Sequence, residues 1–216
     1  PVLETARMKE DLALRCRCGN VHARVRDVSP STVSRVLCYC DDCQAFAHHL
    51  GRADLLDERG GSDIVQVSPA SITFERGTEH IAGVRLGPKG LFRWYATCCK
   101  TPLGNTTTPA LPFVGITSAT FDVSDASRRD ALFGPAYPLL GKFAIGGPPE
   151  GSTKPSLRLL GRTLRLIVGG KLRGNGWPNP FFEKTGTPRY TVTTLTTEER
   201  DALRPLCGPN PARASA

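Results

Sequence analysis

The sequence lacks any long hydrophobic run. Its longest uncharged segment, residues 101–121, is interrupted by three prolines and rich in threonine. A membrane-spanning helix needs roughly 20 consecutive, mostly apolar residues. The first 17 residues carry charges throughout and have no apolar stretch of the kind found in secretory signals. We therefore expect neither a membrane span nor a secretory signal. Methionine is also scarce, with one in 216 residues, which argues against a flexible, methionine-lined binding groove.

Glycine and proline, by contrast, are abundant. The chain has 22 glycines and 18 prolines, a composition typical of proteins rich in turns and strands rather than of helical bundles. Hydrophobic residues make up 39% of the chain and charged residues 22%, which is enough apolar surface for a folded core and excludes wholesale disorder. The length favours one large domain over two small ones.

Alternating apolar and polar residues predict antiparallel β-structure after a lead-in segment of residues 1–14. The predicted strands cover residues 21–26, 33–37, 64–67, 72–75, 80–86, 91–96 and 114–123. Helices are predicted over residues 124–132 and 157–168, and from Thr196, where Thr196 and Glu199 have the spacing of a capping box. The sequence thus predicts a mainly β protein with short helices near its C-terminus.

The second predicted helix has an apolar stripe and a basic stripe. Leucines at 157, 160 and 164 and the isoleucine at 167 share one face, which we expect to pack on the core while the basic stripe faces water. Residues 151–175 contain six basic and no acidic residues, and the whole chain has a formal net charge of +8. Such charge favours anionic partners, and the nearby aromatics Trp177, Phe181 and Phe182 offer a stacking platform for nucleic acid.

The cysteines point to metal binding. Seven of the eight lie in three tight clusters: Cys16 and Cys18; Cys38, Cys40 and Cys43; and Cys98 and Cys99. Neighbours this close pair poorly with each other as disulfides, whereas several thiolates at such spacing can face one zinc ion. We therefore expect a reducing, cytoplasmic environment, one or two bound Zn²⁺ ions per chain, and a lone thiol at Cys207.

The second cluster has the ligand count of a catalytic zinc site. Cys38, Cys40 and Cys43 supply three sulfurs within six residues, whereas structural zinc sites normally have four protein ligands. His48 and His49 are close enough in sequence to be considered as a fourth ligand. Because three thiolates and Zn²⁺ carry a net charge of −1, a nearby cation is expected, with two candidates in the sequence, Arg35 and Arg52. The aspartates at 41 and 42 are interpreted as turn-forming, solvated charges.

The first and third clusters are expected to share a second site. Cys16-x-Cys18-Gly19 forms a compact turn in which glycine permits positive φ. Consecutive side chains in a strand point to opposite faces, so one of Cys98 and Cys99 is expected to join Cys16 and Cys18.

Three motifs together resemble the glutathione-dependent formaldehyde-activating enzyme family, also called the centromere-protein-V-like zinc domain. The first spans residues 14–21, the second residues 38–44, and the third runs from Arg93-Trp94-Tyr95 through Cys99 to Thr101-Pro102-Leu103. The resemblance covers about residues 12–145. It implies a zinc-binding domain there, with residues 146–216 as a helical extension packed on it. The third motif departs from the family pattern, with Ala96 at its first cysteine position and Lys100 at its glycine position.

The resemblance also implies an Mss4-like fold of several small antiparallel sheets around two zinc sites. One site is structural, with Cys16, Cys18 and the third-motif cysteines. The other is catalytic, with Cys38, Cys40 and Cys43. The implied reaction is that of a carbon–sulfur lyase, the condensation of glutathione, a small thiol, with formaldehyde, a small aldehyde. The alternative is a non-catalytic, zinc-stabilised binding module for an anionic partner or nucleic acid.

Overall fold

The computed structural model describes residues 9–209 and confirms a mainly β protein. Within that range there are eleven strands. In chain order they are β1 Glu10–Arg15, β2 His22–Val28, β3 Ser34–Cys38, β4 Ser62–Val67, β5 Ile72–Arg76, β6 Ile81–Arg85, β7 Phe92–Ala96, β8 Thr101–Thr106, β9 Val114–Thr117, β10 Ala136–Leu139 and β11 Val192–Thr194. The strand β1 begins inside the predicted lead-in segment, of which residues 1–8 lie outside the described part.

The strands form two sheets. The smaller sheet is antiparallel, in the order β1-β2-β5. The larger sheet has the order β10-β3-β4-β9-β8-β7-β6-β11 and is antiparallel except at its edges, where β10 pairs with β3 and β11 with β6 in parallel. The strands at both edges come from late in the chain, so residues beyond 135 complete a sheet whose inner strands lie between 34 and 117.

The described part of the chain contains four α-helices: α1 Asp41–His49, α2 Ala126–Phe133, α3 Leu157–Leu172 and α4 Thr197–Leu203. The predicted capping box of α4 is confirmed, because the Thr196 and Glu199 side chains each bond to the other residue's backbone N–H. The helix α1 follows directly on the second cysteine motif, with Cys40 as its N-cap residue, and ends at His49. None of the helices in residues 9–209 is both long and apolar enough to cross a membrane.

An aromatic cluster joins the late part of the chain to the core. The Trp94 indole on β7 is completely buried and donates a hydrogen bond from Nε1 to Thr106 Oγ1 at 2.9 Å. The Phe181 ring stacks on Trp94 with a centroid distance of 5.0 Å, and Phe182 contacts Trp94 edge-on. Both phenylalanines are completely buried. The interpretation of Phe181 and Phe182 as a stacking platform for nucleic acid is therefore wrong, since their faces are already covered by protein.

Three of the four residues that were expected to pack on the core from α3 are exposed, and the fourth, Ile167, is half-buried. Leu157, Leu160 and Leu164 are 87%, 51% and 62% exposed. The face that packs inward contains Leu159, which joins a buried cluster around Cys38 and Cys43, and Gly170, which lies against Pro112. Helical periodicity identifies an amphipathic helix, but the packing surface here is formed by residues that the periodicity does not mark as the apolar face.

Candidate metal centres

Two tight turns bring the first and third cysteine clusters together. Cys16 and Cys18 lie in the turn between β1 and β2, where Gly19 adopts a φ of +78°, as expected, and the backbone N–H of Val21 donates to Cys16 Sγ at 3.2 Å. Cys98 and Cys99 lie in the turn between β7 and β8. The two turns meet through a hydrogen bond from the Arg17 N–H to Thr101 Oγ1 at 3.0 Å. Backbone and side-chain contacts therefore position all four thiols.

We call Cys16, Cys18, Cys98 and Cys99 the four-cysteine group. Their Sγ atoms all lie within 4.8 Å of one another and could hold a metal ion. The Sγ of Cys98 is 3.3 Å from that of Cys18 and 3.9 Å from that of Cys16. Zinc–sulfur bonds of about 2.3 Å in a tetrahedron separate the sulfurs by about 3.8 Å. The donor set therefore fits a zinc ion with four protein ligands.

Both adjacent cysteines join this group, whereas the sequence analysis expected only one. The expectation used the alternation of a β-strand, but residues 97–100 form a turn in which the Lys100 N–H donates to the Ala96 carbonyl at 2.8 Å. Lys100 itself has a φ of +58°, in the left-handed region. A chain that turns this sharply directs consecutive side chains to the same side. Cys98 thus takes the place of the cysteine absent at Ala96.

The thiols of the four-cysteine group differ in acidity. Burial raises the pKa of Cys16. Burial also opposes ionisation of Cys99, but hydrogen bonds from the Thr101 hydroxyl and from Cys18 outweigh it and lower the pKa of Cys99 to about 6. Metal binding requires thiolates. Of the four thiols, Cys99 is therefore the one that its surroundings favour as a thiolate in the absence of metal.

The three-cysteine group consists of Cys38, Cys40 and Cys43. Cys38 is the last residue of β3, Cys40 caps the N-terminus of α1, and Cys43 lies in the first turn of that helix. The Sγ atoms of Cys38 and Cys43 are 3.8 Å apart, and the Cys43 N–H donates to Cys40 Sγ at 3.3 Å. All three sulfurs lie within 4.8 Å of one another and could hold a metal ion. The strand-to-helix transition is thus what makes the three sulfurs converge.

No fourth histidine, cysteine or carboxylate ligand joins this group within residues 9–209. His48 and His49 lie at the C-terminal end of α1, away from the helix N-terminus that carries the cysteines. Cys207 also lies outside both groups, and its Sγ donates to the Asp41 carbonyl at 3.6 Å. The described part of the chain therefore supplies three ligands here and four at the other group.

The cation beside the three-cysteine group is Arg93, which the sequence analysis did not name for this role. Arg93 is 1% exposed, and its Nη1 lies 3.9 Å from Cys43 Sγ. The predicted candidates lie elsewhere. The Arg35 guanidinium pairs with Asp63 and Asp130, and Arg52 pairs with Asp54 and lies 3.4 Å from Thr101 Oγ1, beside the four-cysteine group. The third motif of the sequence contains Arg93, but pairing across the sheet decides which cysteine it contacts.

Charge and hydrogen bonding distribute protons unequally among the three thiols. Hydrogen bonds from Cys38 and Cys40, together with the Arg93 cation, hold the pKa of Cys43 well below its usual value although the side chain is buried. The hydrogen bond between Cys40 and Cys38 raises the pKa of Cys40. Burial alone would lower the pKa of Arg93, but the Cys43 thiolate raises it, so the guanidinium stays a fixed cation. The buried charges at Cys43 and Arg93 thus stabilise each other.

A small cavity of about 20 Å³ adjoins Cys43 and Arg93. Its polar lining includes Ser62, Asn105 and Thr117. A cavity of this size holds one water-sized molecule. The hydrogen-bonding groups in its wall make it suited to a small polar guest.

Asp41 and Asp42, between Cys40 and Cys43, are paired rather than solvated, which corrects the sequence interpretation. Arg204 donates to Asp41 Oδ2 at 2.8 Å and to Asp42 Oδ1 at 2.9 Å, and its side chain is 7% exposed. Arg204 directly follows α4, near the end of the described residues. The C-terminal segment therefore holds the first turn of α1, next to Cys40 and Cys43.

The fold and these two groups define a mainly β protein with two cysteine sites that could each hold a metal ion. The chain belongs to a family described as "Family of unknown function (DUF6151)", whose sequence model matches residues 8–192. This family has no assigned activity, so membership of the formaldehyde-activating enzyme family stays a prediction. The match extends well beyond residue 145, where the predicted resemblance ends.

Other comparisons add little. The chain is similar to a Rhodobacter sphaeroides protein of known crystal structure, with 14% sequence identity, a TM-score of 0.39 and coverage of 54% of this chain and 93% of the other. So low a TM-score supports no inference about function. No curated protein matches the sequence.

Proposed function

We propose that this protein is a zinc-dependent enzyme of the carbon–sulfur lyase type, similar to S-hydroxymethylglutathione synthase, which joins a small thiol to a small aldehyde. The observation that carries the proposal is the different ligand count of the two groups. Four sulfurs converge at Cys16, Cys18, Cys98 and Cys99, but three converge at Cys38, Cys40 and Cys43. Three protein ligands are typical of catalytic zinc, and four of structural zinc.

The donor set of the three-cysteine group fits zinc. Thiolates are soft ligands that favour zinc over magnesium or calcium, and the 3.8 Å between Cys38 and Cys43 Sγ equals the spacing in a zinc tetrahedron. Bound there, zinc supplies a coordination position at which a substrate thiol loses its proton near neutral pH. The protein's own contribution is to hold Cys43 as a thiolate next to the fixed charge of Arg93.

Arg93 is the candidate electrophilic residue. It lines the cavity beside Cys43 together with Asn105, and its Nη1 lies 3.5 Å from Asn105 Oδ1. A guanidinium in a buried site can donate hydrogen bonds to a carbonyl oxygen on which negative charge develops. The cavity size limits the carbonyl compound to the smallest aldehydes, and the larger thiol substrate must approach from outside.

The proposed reaction is an addition in which all atoms are conserved. The thiol sulfur forms a bond to the aldehyde carbon, the carbon–oxygen π electrons move to oxygen, and the proton lost by the thiol ends on that oxygen. The product is an S-hydroxymethyl thioether when formaldehyde is the aldehyde. Neither carbon nor sulfur needs an external oxidant or reductant in this step.

NMR exchange spectroscopy tests the proposal directly. Glutathione and formaldehyde combine without an enzyme, so the measured quantity is the increase in exchange rate on adding zinc-loaded protein. We expect acceleration by the wild type, loss of it in Cys40→Ser, and retention in Cys207→Ser, which removes a thiol outside both groups. If zinc-loaded wild type gives no acceleration above the protein-free rate, the enzymatic proposal is wrong.

A second candidate is a non-catalytic, zinc-stabilised binding module for an anionic partner or nucleic acid. The four-cysteine group favours this candidate. Its four thiols join two turns that are 82 positions apart in the sequence, and four protein ligands are typical of a zinc site that stabilises a fold. If the three-cysteine group gained a fourth sulfur ligand from the protein, both groups would have four protein ligands, and this second candidate would be supported. The NMR experiment separates the two candidates, because a non-catalytic binding module would not accelerate the exchange.

A further inference from the structure

A groove of about 560 Å³ lies between α3 and a wall that includes the end of β2 and residues 30–33. Its volume is within the range of pockets for small-molecule ligands, about 300–1,000 Å³. None of the seven clustered cysteines lines it. The groove is thus separate from both metal groups and from the function proposed above.

The lining of this groove is strongly basic. Five cationic side chains reach it, from Lys9, Arg26, Arg162, Arg165 and Arg173. Asp27 is the one carboxylate among its lining residues, and its Oδ1 lies 4.0 Å from Lys9 Nζ. Like charges concentrated in a cleft raise the local concentration of anions.

The four arginines lack acidic partners within residues 9–209. Arg26 donates to the Ala70 carbonyl at 3.0 Å, and Arg162 donates to the carbonyls of Pro30 and Val33. The side chains of Arg165 and Arg173 are exposed and form neither an ion pair nor a hydrogen bond in the described structure. Arg35, by contrast, is neutralised by Asp63 and Asp130.

We propose that this groove binds the phosphate group of an anionic ligand. The planar guanidinium matches phosphate oxygens with two parallel hydrogen bonds, which makes arginine the preferred residue for such recognition. A phosphate group carries more charge than a single carboxylate and can therefore engage several arginines together. Arg162 holds α3 against the carbonyls of Pro30 and Val33, and Arg165 and Arg173 supply the donors that remain for the ligand.

The phosphate can belong to a free small molecule or to a lipid headgroup, and the outer face of α3, with exposed Leu157, Leu160 and Leu164, is compatible with the latter. Two probes distinguish these sources. Inorganic diphosphate is titrated into the full-length protein by calorimetry at fixed ionic strength. Co-sedimentation is measured with phosphatidylglycerol vesicles, with phosphatidylcholine vesicles as reference.

The test variant is Arg165→Gln combined with Arg173→Gln, and the control is Arg158→Gln. Arg158 is exposed on the same helix but does not line the groove. Because the side chains of Arg165 and Arg173 are exposed and form no ion pair or hydrogen bond in the described structure, the melting temperature without ligand should stay close to that of the wild type. We expect the double variant to bind at least about 10-fold more weakly, and the control to bind like the wild type.

Each outcome decides the proposal. Diphosphate binding that only the double variant loses supports a free phosphorylated ligand. Binding confined to phosphatidylglycerol vesicles, and lost in the double variant, supports a lipid headgroup. If the double variant and the control lose binding affinity equally, the attraction is a diffuse one to a basic surface, and the proposal of a specific phosphate site in the groove is wrong. The proposal is also wrong if the wild type binds neither diphosphate nor phosphatidylglycerol vesicles.

Discussion

Arg204 Nη1 lies 2.8 Å from Asp41 Oδ2, although 163 positions separate the two residues in the sequence. The same guanidinium also reaches Asp42, so one C-terminal side chain binds both aspartates between Cys40 and Cys43. The Arg204 side chain is almost completely buried. The geometry of the three-cysteine group therefore depends on a residue far outside the cysteine motifs.

Replacing Arg204 with alanine should destabilise the protein, because it removes the buried guanidinium that pairs with the carboxylates of Asp41 and Asp42. We expect a loss of about 2–3 kcal/mol in the free energy of unfolding. Arg200→Ala is the matched control, since Arg200 also pairs with Asp42 but is 41% exposed, and it should cost less than about 1 kcal/mol. Chemical denaturation of the zinc-loaded proteins measures both. Equal losses in the two variants would contradict a special role for Arg204.

Protein purified without chelators should contain close to two zinc ions per chain. The reason is that both cysteine groups have sulfur spacings compatible with zinc. Elemental analysis by inductively coupled plasma mass spectrometry gives the ratio. A content below about 0.5 zinc per chain would show that neither group is a high-affinity site.

Cys16→Ser should reduce thermal stability more than Cys40→Ser. A metal at the four-cysteine group closes a loop of about 80 residues, whereas one at the three-cysteine group closes only a few. The loop-entropy model gives a difference of about 2 kcal/mol between these closures. Thermal melts of both zinc-loaded variants would decide the order. A larger loss of thermal stability for Cys40→Ser would show that the three-cysteine group is the structural site and the four-cysteine group is not.

Cobalt replacement should reveal an exchangeable position at the three-cysteine group. If Cys38, Cys40 and Cys43 are its only protein ligands, added glutathione should coordinate and change the visible spectrum of the bound cobalt. Cys40→Ser should abolish this response, and Cys18→Ser should retain it, because Cys18 belongs to the other group. A four-thiolate spectrum that no thiol perturbs would exclude the open site.

Lys100→Val should destabilise the protein by about 1–2 kcal/mol, since a β-branched residue fits poorly at a φ of +58°. Lys100→Gly should be tolerated, because glycine adopts this conformation without strain. Both variants remove the Lys100 ammonium, which lies 5.2 Å from the centre of the Tyr95 ring, so their difference isolates the backbone effect. Denaturation midpoints and zinc content together measure it. Similar stabilities would show that the turn does not constrain residue 100.

The sequence by itself determined the features that depend on neighbours within a few residues. The spacing of Cys38, Cys40 and Cys43 predicted their convergence, the glycine at 19 predicted a left-handed turn, and Thr196 with Glu199 predicted a helix start. Alternating residues also identified most strands of the larger sheet. Each of these depends on local backbone geometry, which a short sequence pattern specifies.

Only the tertiary structure decided which distant side chains meet. It placed Arg93 rather than Arg35 or Arg52 beside Cys43, and it brought Cys98 to Cys16 across 82 positions. It also directed the leucine stripe of α3 away from the core. Such contacts depend on strand order and sheet register, which the free energy of the whole fold selects and no local pattern encodes.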